Sequence, residues 1–304
     1  MRRFLINIFL FVCLIGLSLY GLLQLHTNFY VKKFTNINKN YDIINLGTSH
    51  GNSFNYNMYK IDGGKFHRRG NSIYYDLQNY YYLKPHLKDS AIIILPLSYF
   101  SFGLDENSTD RGEINPFVND FYRYLPRKSI YSYTPKREAD VYLNEIKLNF
   151  FNLFEKSKKK EKIEISELDR NEILLDKVSK RVESHKKMGM YSSPQPNIAY
   201  LSELILDAKK NGYKPILVTT PYFKRYNEEF GNTWIKEHYY KYIDTLINQY
   251  QLVYLDYSDD ERFSPNIELF KDPDHLNQIG KEKFSKVFFQ DLNELGILKR
   301  IKLK

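Results

Sequence analysis

Two short stretches far apart in a 304-residue chain carry side chains that can act together. The first is Gly47-Thr48-Ser49-His50-Gly51, and the second is Asp272-Pro273-Asp274-His275-Leu276-Asn277. A serine hydroxyl is a poor nucleophile until a base accepts its proton, and His275 is the base this sequence offers. Asp272, three residues earlier, is spaced to hold the imidazole by its other nitrogen and to stabilise the charged form. Asp274 competes for that role, but adjacency to His275 makes it hard for its side chain to curl back. Taken singly, Ser49 is an ordinary helix cap and Asp272 an ordinary turn residue before Pro273. Their order, Ser…Asp…His, and their placement on a suitable frame are what join them. His67, His86, His185 and His238 show no metal-ligand spacing, and no metal is expected. Neither G-x-G-x-x-G nor a P-loop occurs, so no nucleotide cofactor is expected.

The frame is a set of alternating strands and helices. YDIINLGTSH begins at Tyr41 as a short apolar strand ending in a Gly-containing turn. Further apolar runs follow at Ala91–Phe100, Lys214–Pro221 and Leu252–Ser258. Helical patterns lie around Tyr74–Leu83, Tyr200–Asn211 (with Gly212 as the C-terminal stop), Trp234–Tyr250 and Asn277–Leu295. This alternation predicts an α/β protein, a three-layer doubly wound parallel sheet. Reactive groups in such sheets collect beyond the carboxyl ends of the strands. Ser49 falls there, its hydroxyl exposed on a turn and its amide near the positive end of a following helix. From about 104 to 196 the alternation stops, which predicts a helical insertion over one end of the sheet. It holds helical patterns at Ala139–Phe154 and Ser166–Lys187 and a basic run at Lys156–Lys162. Such a run reads as a solvated helix face or loop. Beside a membrane, contact with anionic lipid or polymer is the alternative.

The N-terminus sets the compartment. Phe4–Leu25 is free of charge, and as a helix it spans roughly 33 Å, enough for a hydrocarbon core of about 30 Å. Arg2 and Arg3 precede it, so the positive-inside rule keeps the N-terminus in the cytoplasm, and Lys32 and Lys33 weaken this bias without reversing it. The expectation is a single-pass anchor at 1–25, a polar stalk at 26–40, and a domain at 41–300 outside the membrane. No small-x-small cleavage site stands out, and Val12 before Cys13 does not suit a lipoprotein signal. One Cys excludes a disulfide framework, a Cys-based zinc site and an iron–sulfur cluster. A net charge of +9 without a recognisable basic module argues against nucleic acid as a partner.

A serine after the first strand and Asp-x-x-His before the last helix resemble the SGNH/GDSL hydrolases. Ser49 stands in G-T-S-H where that family often has G-D-S-L, and D-P-D-H-L-N is similar to its last block. The resemblance runs from Tyr41 to about Leu295, the insertion excepted. It implies an SGNH-hydrolase/flavodoxin-like fold, with Ser49, Asp272 and His275 catalytic. It also implies an oxyanion hole built from the Ser49 amide and a second block, here Arg69-Gly70-Asn71-Ser72, from which Gly70 and Asn71 are drawn. The family's third block, Gly-x-Asn-Asp, is replaced by Pro96-Leu97-Ser98-Tyr99, leaving Ser98 as a substitute donor or a hole of two donors. His50 is taken as lining the site.

With its anchor, the chain is similar to extracytoplasmic members that acylate cell-surface polymers. These include the D-alanylation protein of lipoteichoic acid synthesis and the alginate and peptidoglycan O-acetyltransferases. The implied function is O-acyl transfer, in the first place O-acetyl transfer, to a cell-surface polysaccharide or teichoic-type polymer. A membrane-bound O-acyltransferase is the implied partner. An esterase or deacetylase would use the same residues with water as acceptor. A third reading is a non-catalytic adaptor in a polymer-modifying complex, to which the degenerate third block points.

Overall fold

The computed structural model describes residues 1–35, 40–105, 116–155 and 167–298. The basic run at Lys156–Lys162 lies outside the described residues.

Five parallel strands form the central sheet: β1 (Tyr41–Asn45), β2 (Gly63–Lys65), β3 (Leu87–Pro96), β4 (Lys214–Thr219) and β5 (Val253–Asp256), in the spatial order β2-β1-β3-β4-β5. This is the flavodoxin-like winding, whose strand order reverses between β1 and β3. The apolar, β-branched runs explain the centre of the sheet, since strands covered by helices on their faces bury successive side chains. Ile43 and Ile44 pair with Ile92 and Ile93, Ile94 pairs with Ile216, and Leu95 with Leu217. All of these are buried, and each aliphatic side chain so covered is worth about 1.5–3 kcal/mol relative to exposure.

Helices flank the sheet. α2 (Ile73–Leu83) starts at Ser72, whose hydroxyl accepts the Tyr75 amide. In the segment before the fourth strand, α6 (Pro194–Lys210) starts on a proline and ends at Asn211, followed by Gly212 at φ +75°. That glycine is the expected helix stop. α2 packs on α6, and α6 on β4 and α9 (Lys241–Tyr250). The stretch predicted as one helix over Trp234–Tyr250 is instead α8 (Asn232–Ile235), a π-helical turn at Lys236–Tyr240, and α9. The last helix, α10 (Gln278–Glu294), lays Phe284, Phe288 and Phe289 against Phe54, Tyr56 and Tyr59 from the chain after β1. Between β4 and α8 lies α7 (Lys224–Phe230), and before α10 a two-stranded antiparallel ribbon, β6 (Phe270–Asp272) and β7 (His275–Leu276).

The expected insertion is not one body. Its second helical stretch breaks at Lys177 into α4 (Glu167–Asp176) and α5 (Val178–Met188), and both belong to the same compact unit as the sheet. Asn119–Glu161, with α3 (Pro135–Glu155), groups instead with the N-terminal Met1–Asn38 as a second unit. In that unit Phe121, Tyr122, Leu125, Ile130 and Val141 are buried.

The N-terminal α1 runs from Arg2 to Thr35, so helix continues through most of the residues expected to form a stalk. Its Arg2–Leu22 portion, with mean hydropathy 2.3, is long and apolar enough to cross a membrane, and none of that window is buried by protein.

Candidate active site

The turn that carries Ser49 is built at the point where the strand order reverses. After β1 the chain passes through Gly47 at φ +88°, where a Cβ would stand 2.7 Å from the Pro96 carbonyl oxygen of β3. Only glycine meets both conditions without strain. The Gly47 amide donates to Asp76 Oδ1 (2.7 Å), and its carbonyl accepts the Arg68 amide (3.0 Å). Thr48 is extended, and Ser49 then opens a single 3₁₀ turn, Ser49–Ser53. A helix was expected to follow the serine, and this single 3₁₀ turn stands in its place. Below the turn, the Asn45 amide group donates to the Gly51 carbonyl (2.9 Å) and its Oδ1 accepts from Tyr56 (2.9 Å).

His275 comes from the β6–β7 ribbon. Its short turn puts His275 Nδ1 2.8 Å from Asp272 Oδ1 and His275 Nε2 2.7 Å from Ser49 Oγ. An ionised carboxylate can only accept, so Nδ1 carries a proton and donates it to Asp272. In the neutral ring this leaves Nε2 as the acceptor for the Ser49 hydroxyl. Ser49 and His275 are partly exposed. Asn277 then caps α10, its side chain accepting the Gly280 amide (2.9 Å). The structure therefore brings together the three residues that the spacing singled out.

Behind this triad lies a second set of groups. Asp274, 1 % exposed, places Oδ2 3.2 Å from His50 Nε2 and 3.4 Å from His275 Nδ1. Its Oδ1 is 3.1 Å from Arg181 Nε on α5. Arg181 also approaches Asp272 Oδ2 at 3.7 Å, and His185, one turn along α5, stands 4.0 Å from Asp274 Oδ2. His185 Nδ1 is bonded to the Tyr226 hydroxyl of α7 (2.7 Å). Nothing in the sequence gives Arg181 or His185 a role, and adjacency argues against the contact that Asp274 makes with His275. The one available signal was the four-residue spacing of Arg181 and His185, which puts both on one helix face.

Burial and charge divide the three histidines. Burial pulls His275 down, but the carboxylates of Asp274 and then Asp272 more than offset it, raising it to about 9. Burial, helped by the nearby His275, pushes His50 down to about 3. His185 is lowered by burial to about 4. Asp274 resists the upward push of its own burial, because His275, His185 and Arg181 hold it well below the usual carboxylate range. A neutral His50 beside an ionised Asp274 must donate from Nε2, so its Nδ1 accepts from Ser98 Oγ at 3.2 Å.

The residues expected to line the substrate side divide differently. Gly70, at φ +61°, is the partly exposed corner of the loop that meets Gly47. Asn71 is buried, its amide donating to the Arg68 carbonyl and its Nδ2 to Asp76 Oδ1 (2.5 Å). Ser98 is wholly buried, its amide donating to Ser101 Oγ (2.8 Å) and its hydroxyl held at His50. His50 is 1 % exposed, edge-on to His275 with ring centres 4.7 Å apart. Asn71, Ser98 and His50 thus support the turn from behind, where the sequence placed them at the substrate. Burial raises Asp76 to about 7, against the Gly47 amide and Asn71, which bond to its carboxylate.

His50, Asp274 and His275 offer donor atoms within 4.8 Å of one another, the donor set of a small divalent-cation site. Two contacts oppose that use. Arg181 already places a positive charge on Asp274, and the shortest contact of His275 Nδ1 is with Asp272. The arrangement is an ion-paired hydrogen-bond network.

No protein-family model matches the chain, and no curated protein matches it in sequence. Among solved structures it is similar to a Streptococcus pneumonia protein provisionally described as a platelet activating factor. That pair shares 14% identity over 92% of this chain and 99% of the other, with a TM-score of 0.42. It is also similar to a lipase/acylhydrolase from Enterococcus faecalis (13% identity, 86% and 98% covered, TM-score 0.36). A single-site variant of an acetyl xylan esterase from Geobacillus stearothermophilus is a third (11%, 86% and 98%, TM-score 0.39).

Proposed function

We propose that this protein is a serine acyltransferase working beside a membrane. It moves an acyl group, in the first place acetyl, from a donor to a hydroxyl of a surface polysaccharide or teichoic-type polymer. The single observation that carries the reading is the unbroken string Ser49–His275–Asp272, with contacts of 2.7 and 2.8 Å. In the first half-reaction Ser49 Oγ attacks the donor carbonyl while His275 Nε2 takes its proton. Asp272 holds the imidazolium that forms. Collapse of the tetrahedral intermediate breaks the bond to the leaving group, which receives the proton from His275, and acyl-Ser49 remains. The acceptor hydroxyl then repeats the steps in reverse order. The amides of Ser49 and Gly70 are the groups proposed to receive the oxyanion, and each such donor is worth about 10²–10³ in rate. The membrane setting is supported by the exposed apolar helix Arg2–Leu22, which Arg2 and Arg3 orient with the domain outside. A membrane-bound O-acyltransferase is the proposed donor partner.

The test uses the full chain in detergent, incubated with p-nitrophenyl acetate and followed by intact mass. One acetyl added to the wild type and none to Ser49→Ala is expected. A glycan or polyol acceptor should then discharge the adduct faster than water. Discharge by water alone replaces transfer by ester hydrolysis, and an equal adduct on Ser49→Ala removes Ser49 from the chemistry.

A further inference from the structure

The groups behind His275 do more than fill space. Asp274 is a second carboxylate at the base, 3.4 Å from the same Nδ1 that donates to Asp272. It is fixed on three sides: by His50 Nε2 (3.2 Å), by Arg181 Nε (3.1 Å) and by burial to 1 % exposure. Arg181 in turn bridges the two carboxylates, reaching Asp272 Oδ2 at 3.7 Å. No substrate is needed to explain these contacts, and none of them is required to orient the imidazole, which Asp272 already does.

The charge balance of the cluster gives them a role. The groups around His275 and its two carboxylates are Ser49 and His50 from the 3₁₀ turn, Asp272 from β6, Asp274 from the ribbon turn, and Arg181 and His185 from α5, which touch the carboxylates. Lys281 of α10 and Lys271 lie farther out, with Lys281 sensing both Asp272 and Lys271. His50 and His185 are neutral at ordinary pH. Two carboxylates and one guanidinium then leave the cluster with one net negative charge when His275 is neutral and with none when it is an imidazolium. The proton that His275 takes from the serine therefore neutralises the cluster. Removing Asp274 weakens this preference, and removing Arg181 deepens it.

We infer that Asp274 and Arg181 form a counter-charged positioning pair that sets how strongly His275 holds its proton, Asp274 tightening that hold and Arg181 loosening it. The inference rests on the acyl-transfer reading only for its catalytic meaning. A base must be unprotonated to accept the Ser49 proton, so acylation should rise with pH through the His275 titration. Asp274→Asn moves that rise to lower pH, and Arg181→Met moves it to higher pH.

The decisive experiment titrates His275 in the full chain in detergent, labelled with [¹³Cε1]-histidine, the resonance being identified by its loss in His275→Gln. The wild-type midpoint is expected near 9. In Asp274→Asn it falls toward the 6.5 of a free imidazole, in Arg181→Met it rises above wild type, and in Arg181→Lys it stays close to wild type. General loosening of the site would send every variant toward the free value, so opposite shifts carry the result. Arg181 is about one-third exposed, so its two variants suffice should Asp274→Asn fail to fold. An Arg181→Met midpoint that is unchanged or lowered overturns the pair. The titration needs no acyl donor: failure of Ser49 to take acetyl overturns the proposed function alone, and unmoved midpoints with Ser49 acetylated overturn this inference alone.

Discussion

Gly47 shows how much of the turn that carries Ser49 is decided by one residue without a side chain. Its φ of +88° and the 2.7 Å from a Cβ to Pro96 O mean that alanine is strained twice, by its own backbone and by the neighbouring strand. Gly47→Ala should cost about 1–3 kcal/mol, the usual scale for such strain. It should also lower Ser49 acetylation by more than the stability loss explains, because the turn shifts with it. Thermal unfolding and adduct rate on one sample measure both, and acetylation at the wild-type rate would show the turn to be tolerant. Ser49, Asp272 and His275 were legible because each sits in a short motif whose spacing reflects a local requirement, a hydroxyl on a turn and a carboxylate three residues before an imidazole. Arg181 was not, since it meets Asp274 across 93 residues of chain and nothing around either residue announces the other. Ser98 was misplaced because its position after β3 is shared by substrate-facing and buried residues, and only packing decides between them.

Among the elements, α2 is tied to the turn that carries Ser49 by the Asp76 carboxylate. Asp76, in its first turn, accepts the Gly47 amide and the Asn71 side chain with the same oxygen. Asp76→Ala takes the partner from the buried Gly47 amide and leaves Asn71 Nδ2 with its 3.4 Å contact to the Gly47 carbonyl, at about 1–3 kcal/mol. Asp76→Asn keeps an acceptor in place and should cost clearly less; equal unfolding midpoints for the two variants would refute the tie. The long apolar runs made β1, β3 and β4 readable in the sequence, whereas β2 was missed. It is three residues long, and its two glycines are there because the rings of Tyr56 and Phe66 lie where side chains would project. Such a strand has no hydrophobic pattern to detect. The continuation of α1 to Thr35 was equally hidden, since polar composition speaks for solvent exposure and leaves open whether the backbone is helical.

For the molecule as a whole, the buried ionisable groups set a pH range of stability. His50 and His67 are lowered to about 3 and His185 to about 4, all by burial first. An unfolded chain takes up these protons below about 6.5, so acid favours unfolding in the window between. Asp76, raised to about 7, works against one of the three on the acid side. Above 6.5 the sign turns: the loss from Asp76 is nearly complete by about 7, and the stability contributed by protonated His275 is lost as pH rises through about 9. Thermal unfolding of the full chain should therefore peak near neutrality, falling on both sides; a midpoint climbing steadily to pH 9 would contradict it. The alternation of strands and helices made the sheet unit foreseeable. Division of the insertion between two units was not, because helical patterns at Ala139–Phe154 and Ser166–Lys187 look alike until their partners are known.

The hydrogen on His50 Nε2 lies between two groups that are each 1 % exposed. At that burial it leaves for solvent only when the elements packed around it, the Ser49–Ser53 turn and the turn that carries Asp274, part from one another. Its exchange with deuterium is then a clock for the local opening of the Ser49–His275 site, read from an atom that takes no part in the proposed bond-making.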